Sequence, residues 1–321
     1  MATDYLGFFG TLTALMVISI VMAKAGESLA ARLGSSFGGG VLLGLATALP
    51  ETVLVVGALL LGQPGAAISS AVGANAMLMT LGVGLLGVVF LLKYAEPIYM
   101  LGNYSLELKF LVLPTLAVAA LVLAEYAFVS VHAFLEVPLG IILILMYFAY
   151  VYLSYKGRKP EAFEGHEVKT KTHTALALLF ASGAAAVIVT PFFLHYTERV
   201  SLLIGVPYDL LVYVVTPIAA ELEEKLSAYV MVFRSKLLGS PALYSFVGSK
   251  IENATVLVGL ILLSSPKAVD YWPLLLVLIV SNLFGAAIMK DGKLSWAESA
   301  LGLVLYGMLT YFLYLMGVAL H

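Results

Sequence analysis

The sequence contains no cysteine and few charged residues. Without cysteine, the protein can form no disulfide bond and cannot use thiolate chemistry. Only 11% of its 321 residues are charged, compared with roughly 25% in soluble domains. Hydrophobic residues make up 62% of the chain. These values predict an integral membrane protein.

Two further absences exclude classes of function, and a third concerns the N-terminus. The chain has no GxxxxGK[ST] phosphate-binding loop, which argues against an ATP-driven pump on this chain. The five histidines show no metal-ligand spacing, so a zinc site is not expected. The first apolar segment follows the acidic Asp4 and lacks a cleavage pattern, so we expect a retained span rather than a signal peptide.

Ten apolar segments are long enough to act as membrane spans, which need about 20 residues to cross ~30 Å of hydrocarbon. They cover residues 6–24, 38–61, 64–92, 104–125, 131–155, 173–197, 208–234, 241–264, 270–289 and 295–319. The polar stretch 156–172 divides the chain into halves at residues 1–155 and 173–321, with five segments each. We therefore predict an all-α protein with ten transmembrane helices.

The basic residues predict the orientation of the chain. Thirteen lysines and arginines lie in or beside the links after spans 1, 3, 5, 7 and 9, whereas the opposite side holds Arg199 and Lys267. The positive-inside rule predicts a multi-pass protein of the cell membrane with a cytoplasmic central linker and both termini external. Because each half has an odd number of spans, the second half enters the membrane inverted. This arrangement is an inverted repeat.

Three sequence blocks recur in the same order in the two halves. They are Glu27–Gly34 with Glu198–Gly205, Ala46–Glu51 with Ala219–Glu224, and Ala71–Ala76 with Phe246–Ile251. The middle blocks place Glu51 and Glu224 inside spans apolar enough to cross a bilayer. Since a charge at that depth costs ~2.5–3.5 kcal/mol on insertion scales, such residues are usually functional.

These blocks resemble the two alpha-repeats of the cation/calcium exchanger superfamily, which includes sodium/calcium and proton/calcium exchangers. The family pattern is roughly G-T-S-L-P-E on one helix and G-S-N-x-x-N on the next. The first half has T-A-L-P-E at residues 47–51 and G-A-N at residues 73–75. The resemblance implies that spans 2, 3, 7 and 8 surround the ions while spans 1 and 6 slide across them. It implies ion ligands at Thr47, Glu51 and Asn75, with Ser70 as a further candidate.

The second half departs from the family pattern. Residues 219–224 read A-A-E-L-E-E, without the Pro-Glu pair. Alignment with Glu51 makes Glu224 a candidate ligand, and Glu221 is a second candidate because its Ala-Ala-Glu context is similar to proton/calcium exchangers. In the next block, Lys250 replaces the first asparagine and Asn253 keeps the second.

Lys250 is the most unusual residue of this predicted site. An ammonium at mid-membrane needs an acidic partner, and Glu221, Glu224 and Glu252 are available. One hypothesis is that its charge replaces one bound cation, so that fewer ions travel per cycle. The other is that it releases its proton and takes part in proton coupling, as buried lysines can.

The sequence predicts a secondary antiporter that exchanges calcium, or a related cation, for sodium or protons by alternating access. Calcium takes six to eight oxygen ligands, often including carboxylates, which the predicted residues would supply. The expected partners are inorganic cations and the lipid bilayer, with no cofactor, nucleic acid or enzymatic activity. Two alternatives remain open: a non-transporting relative in which Lys250 occupies the ion site, and an intramembrane enzyme using Glu51 and Glu224 on a lipid-linked substrate.

Overall fold

The structure is a computed structural model that describes residues 1–32, 43–101, 104–127, 132–157, 171–264 and 268–319. These residues are almost entirely helical. The α-helices are α1 (Ala2–Arg32), α2 (Leu43–Leu60), α3 (Pro64–Ala76), α4 (Val83–Tyr94), α5 (Ser105–Ala127), α6 (His132–Gly157), α7 (Thr172–Ile204), α8 (Tyr208–Ala220), α9 (Leu222–Arg234), α10 (Gly239–Glu252), α11 (Val258–Ser264), α12 (Trp272–Asp291) and α13 (Trp296–Ala319). Most of the predicted linker, residues 156–172, lies outside the described residues.

Eight helical stretches of the described residues are long and apolar enough to cross a membrane. They are Ala2–Gly26, Pro64–Tyr94, Ser105–Ala124, Phe134–Ser154, Thr172–Ile204, Lys236–Ser264, Val269–Asp291 and Trp296–Gly317. Two shorter apolar helices, Ala48–Leu60 and Tyr208–Ala220, lie within the predicted spans 38–61 and 208–234. The prediction of a helical, multi-pass membrane protein is confirmed. The count of ten spans and the inverted repeat stay predictions.

Two helices at the predicted site contain a proline; one carries Glu51, and the other ends directly before Glu221. Pro50 lies inside α2 and Pro217 lies inside α8. Proline offers no N–H to the carbonyl one turn earlier, so Pro217 leaves the carbonyl of Tyr213 without its usual helical donor. Four residues later, Glu221 takes the non-helical angles φ −114° and ψ 13° and separates α8 from α9. This span is therefore made of two short helices that meet at an acidic residue.

Two π-helical turns lie at corresponding places in the two halves. Residues Met77–Gly82 join α3 to α4, and residues Asn253–Leu257 join α10 to α11. π-turns inside α-helices are rare and often mark functional sites. The first begins two residues after Asn75 of the motif Gly73–Asn75, and the second begins at Asn253, the last residue of the motif Gly248–Asn253.

The helices pack around two clusters of buried apolar side chains. Members of the first include Leu54, Val72 and Phe193, and members of the second include Phe90 and Phe246. α1 and α7 lie side by side, with the rings of Phe8 and Phe193 stacked at 6.3 Å. Each of these two long helices leaves much of its surface outside the core. The helices α3 and α10, by contrast, are buried along most of their length.

One short β-ladder connects two links of the chain. β1 (Ile98–Tyr99) follows α4 and pairs in antiparallel fashion with β2 (Lys293–Leu294), which follows α12. The Met100 N–H extends the ladder by donating to the Gly292 carbonyl at 2.9 Å. The ladder thus joins a link of the first half to a link of the second.

The closest helix contact near the predicted site involves Gly73, and it generates a prediction. A Cβ atom at Gly73 would overlap the freed carbonyl oxygen of Tyr213, whereas a Cβ at Gly248 would meet nothing within 4 Å. We expect Gly73→Ala to destabilise the protein by about 1–3 kcal/mol through overpacking. Thermal unfolding of the purified protein measures this effect. Gly248→Ala is the matched control, and equal stability of the two variants would contradict the packing described here.

Candidate cation-binding site

Four carboxylates and one ammonium are buried together where α2, α9 and α10 meet. The side chains are those of Glu51, Glu221, Glu224, Glu252 and Lys250, and each residue is at most 6% exposed. Charged groups in such surroundings are stable only when they are paired and hydrogen-bonded. The contacts of each group therefore show what balances its charge.

Lys250 lies between carboxylates from two parts of the chain. Its ammonium is 3.6 Å from Oε2 of Glu51, which is on α2. The same ammonium forms an ion pair with Oε1 of Glu221, at the junction of α8 and α9. Because the lysine is completely buried, water does not screen these interactions effectively. An internal cation therefore occupies the position between the two acids.

Asn253 completes the surroundings of Glu51. Its side-chain N–H₂ group donates to both carboxylate oxygens of Glu51 at 3.0 Å each. Lys250 and Asn253 are three residues apart, so they share one face of the helix and of the π-turn that continues it. The Oδ1 atom of Asn253 is buried and has no hydrogen-bond partner among the described residues.

The two oxygens of Glu221 are bound by different lysines. Lys250 binds Oε1, and Lys225 binds Oε2 at 3.2 Å. Lys225 also donates to the Pro217 carbonyl at 3.0 Å and contacts the sulfur of Met77 at 3.4 Å. Both oxygens of Glu221 are thus bound by internal cations, one of which, Lys225, lies only four residues further along the chain.

Glu224 is the carboxylate with the least complete set of partners. It lies one turn beyond Glu221 and interacts with Lys250 and Ser249. Its Oε1 atom is buried without a hydrogen-bond partner among the described residues. A buried carboxylate oxygen without a donor costs free energy. Together with Oδ1 of Asn253, it offers oxygen ligands to a cation.

Glu252 extends the cluster toward α6. Its Oε2 accepts from the hydroxyl of Tyr147 at 3.3 Å, and its Oε1 is 3.4 Å from the hydroxyl of Thr52. The sequence analysis placed Glu252 only as a potential partner of Lys250. The contribution of Tyr147 comes from a distant span, and no local pattern signals it.

The remaining predicted ligands are Asn75, Ser70 and Thr47, and the Oδ1 atom of Asn75 is buried without a hydrogen-bond partner among the described residues. Asn75 donates to Ser281 and Asn282 of α12 at 2.9 Å each. Ser70 is buried, and its hydroxyl has no hydrogen-bond partner among the described residues. The side chain of Thr47 lies outside the part of the chain that the structure describes.

Asn75 instead belongs to a polar chain between three helices. Asn282, which accepts from Asn75, donates to Thr115 of α5 at 2.9 Å. Ser281, Asn282 and Thr115 were not identified from the sequence, although the Ser-Asn pair inside an apolar span was a usable signal. Such side-chain bonds hold membrane helices together. Asn75 thus links α3 to its neighbours in this structure.

Within the described residues, no group of three or more His, Asp or Glu side chains is arranged to hold a metal ion. The ammonium of Lys250 lies near both Glu51 and Glu221 and neutralises both in part. The carboxylates are close enough to interact through a shared cation, and in this arrangement the shared cation is a lysine.

The chain is similar to proteins of one transporter family. The family model for "Sodium/calcium exchanger protein" matches residues 3–156 and 174–315. The structure of the H⁺/Ca²⁺ exchanger CAX is similar with a TM-score of 0.82 and 22% identity, covering 99% of this chain and 86% of that chain. Native YfkE gives a TM-score of 0.73 at 22% identity, covering 96% and 92%. No curated protein sequence gives a significant match.

A third solved structure is similar at greater distance. The sodium-calcium exchanger NCX_Mj gives a TM-score of 0.57 at 18% identity, with 95% of this chain and 96% of that chain covered. At these identities the structural matches show a shared fold. The family match covers most of the chain and both predicted halves.

The buried ion pairs generate a prediction about stability. We expect Lys250→Met to destabilise the protein by about 3–5 kcal/mol, because it leaves Glu51 and Glu221 without their buried counter-charge. The double variant Lys250→Met/Glu221→Gln should recover part of this loss. Unfolding of the purified proteins measures both. Lys236→Met is the control, since it removes an ammonium from a half-exposed ion pair with Glu96, and there we expect a change of about 0–1 kcal/mol. A Lys250→Met variant as stable as this control would contradict the pairing.

Proposed function

Because the chain belongs to the sodium/calcium exchanger protein family, we propose that it is a secondary antiporter exchanging calcium, or a related cation, for sodium or protons. The observation that carries the proposal is a buried network at the α8–α9 junction. In it, Glu51 contacts Lys250 and Asn253, and Lys250 also pairs with Glu221. The family and the solved neighbours are transporters, so the prediction that the chain is not an enzyme is confirmed.

The cargo is held, in this proposal, by oxygen atoms that Lys250 does not neutralise completely. Glu51, Glu224 and Asn253 contribute oxygens, of which Oε1 of Glu224 and Oδ1 of Asn253 have no hydrogen-bond partner among the described residues. Calcium prefers such a set of hard oxygen ligands. Sodium ions or protons compete for the same carboxylates, and this competition couples the two fluxes.

The proposed architecture has ten spans in two inverted halves, at residues 1–155 and 173–321. The matched sequence blocks, the matched π-turns and the prolines inside both α2 and α8 support it. Residues 156–172 form the cytoplasmic linker, and both termini are external, as the distribution of basic residues indicates. Transporters with inverted repeats bind their substrates near the bilayer midplane at the repeat interface.

Alternating access is supported by a difference between the two halves. α3 lies against α8 so closely that Gly73 contacts the backbone of Tyr213, whereas Gly248 of α10 faces open space. The helix packing is thus tight at Gly73 and leaves space at the corresponding Gly248. The peripheral pair α1 and α7 is the element placed to shift between the two arrangements.

The first test is transport by the purified protein in liposomes. We expect counterflow of labelled calcium by the wild type and its loss in Glu51→Gln, because the amide removes the negative charge that the cargo must meet. Glu223→Gln is the matched control on α9, since Glu223 is partly exposed, and it should retain transport. Gradient-independent calcium flux by the wild type, or full activity of Glu51→Gln, would contradict the proposal.

Calcium binding by a Lys250 variant distinguishes the transporter from the non-transporting alternative. If Lys250 replaces one bound cation, Lys250→Asn should bind calcium with altered stoichiometry or altered competition by sodium and protons. Calorimetric titration of wild type and variant measures both quantities. If Lys250 blocks the site permanently, the wild type binds no calcium and Lys250→Asn gains binding.

A further inference from the structure

A chain of hydrogen-bonded polar side chains runs from α5 through α12 to α3. The hydroxyl of Thr115 accepts from Nδ2 of Asn282 at 2.9 Å, and Oδ1 of Asn282 accepts from Nδ2 of Asn75 at 2.9 Å. The hydroxyl of Ser281 accepts a second bond from Nδ2 of Asn75, also at 2.9 Å. Each of these four residues is at most 1% exposed. Bulk water therefore does not compete for these bonds.

The direction of the bonds in this chain is set at its two hydroxyl ends. A serine or threonine hydroxyl has only one proton to donate. Thr115 donates its proton to the backbone carbonyl of Leu111 at 2.7 Å, and Ser281 donates its proton to the backbone carbonyl of Leu278 at 3.0 Å. Both hydroxyls can then only accept hydrogen bonds from neighbouring side chains.

These two ends determine how the amide groups are oriented. Because the hydroxyl of Thr115 can only accept, Asn282 turns its N–H₂ group toward α5 and its oxygen toward α3. Asn75 then meets two acceptors, the oxygens of Asn282 and Ser281, and bonds to both through its own N–H₂ group. Its Oδ1 atom is left buried, with no hydrogen-bond partner in the part of the chain that the structure describes.

A buried oxygen oriented in this way suits a cation. An acceptor without a donor costs free energy, and calcium takes amide oxygens as ligands. Asn253 shows the same arrangement, since its N–H₂ group bonds to Glu51 while its Oδ1 has no partner among the described residues. The end of α3 also borders the acidic cluster, because the sulfur of Met77 lies 3.4 Å from the ammonium of Lys225.

We propose that Thr115, Ser281 and Asn282 are positioning residues, which hold the side-chain oxygen of Asn75 in place as a ligand for the transported cation. This inference rests on the antiport function proposed above and on the ligand role that the sequence leads us to expect for Asn75. The three residues lie on α5 and α12, outside the helices that carry the carboxylates. The affinity for the cargo therefore depends on α5, which acts on the ligand only through α12.

The experiment measures how calcium counterflow in liposomes depends on calcium concentration, in the wild type and in Thr115→Val. Valine has the shape of threonine without the hydroxyl, so Asn282 loses its acceptor and can turn its N–H₂ group toward Asn75. The oxygen of Asn75 then accepts from Asn282 and is withdrawn from the cation. We expect the KM for calcium to rise about tenfold while kcat changes by less than about twofold, because residues that support a metal ligand act mainly on affinity.

Two further variants separate the orientation of Asn75 from a merely structural role of the chain. Thr115→Ser keeps the hydroxyl and should restore the wild-type KM. In an Asn75→Asp background, a carboxylate presents an oxygen to the cation in either orientation. There Thr115→Val should raise the KM for calcium no further, whereas a structural defect would add to the effect of Asn75→Asp.

Ser281→Ala tests the same orientation should Thr115→Val fail to fold. It removes one of the two acceptors of the Asn75 N–H₂ group, so the KM for calcium should rise, but by less than in Thr115→Val because Asn282 still acts. Ser299→Ala is the matched control on α13. It removes a buried hydroxyl that donates to the Ser295 carbonyl at 2.7 Å and lies outside the chain of bonds, so the KM should not change.

The outcomes separate this inference from the proposed function. A wild-type KM in Thr115→Val or, if that variant does not fold, in Ser281→Ala would overturn the positioning role and leave antiport intact. So would an equal rise of the KM in Thr115→Ser, or a full additional rise in the Asn75→Asp background. Absence of any calcium exchange by folded wild-type protein would overturn both.

Discussion

The site depends on a positive charge held between carboxylates in the dry interior of the helical bundle. Lys250 contacts Glu51 and Glu221, which lie far apart in the sequence. Withdrawing these charges from water costs more than the pairing returns unless each group is also hydrogen-bonded. Asn253 donates such a hydrogen bond to Glu51, and Lys225 donates one to Glu221. The positions of α2, α9 and α10 are therefore set by one electrostatic network rather than by apolar packing alone.

The two halves use equivalent positions for different purposes. Asn75 and Lys250 occupy matching places in their sequence blocks. Asn75 bonds to α12 and fastens α3 to its neighbours, whereas Lys250 points into the acidic cluster. The contrast between Gly73, packed on a backbone carbonyl, and Gly248, facing open space, follows the same division. Equivalent positions of the two sequence blocks thus bond to a neighbouring helix in one case and to carboxylates in the other.

Much of the fold was predictable, because spans of apolar residues must be helical when the backbone has no water to bond. Each predicted span overlaps a described helix or pair of helices, and residues 38–42 and 131 of these spans lie outside the described residues. The convergence of Glu51, Glu221, Lys250 and Asn253 followed from the repeat. The partners of Asn75 could not be predicted, because periodicity identifies the face of a helix but not the neighbouring helix that this face contacts. The contact of Tyr147 with Glu252 and that of Met77 with Lys225 were missed for the same reason, since tertiary packing alone creates them, whereas the Lys225–Glu221 pair is a local i,i+4 contact.

The ladder between β1 and β2 has a mechanical consequence. It joins the link after α4 to the link after α12 through backbone hydrogen bonds, which do not depend on the positions of side chains. The two links therefore cannot separate without breaking these bonds. The long helices α1 and α7 lie outside the ladder and are free of this restraint.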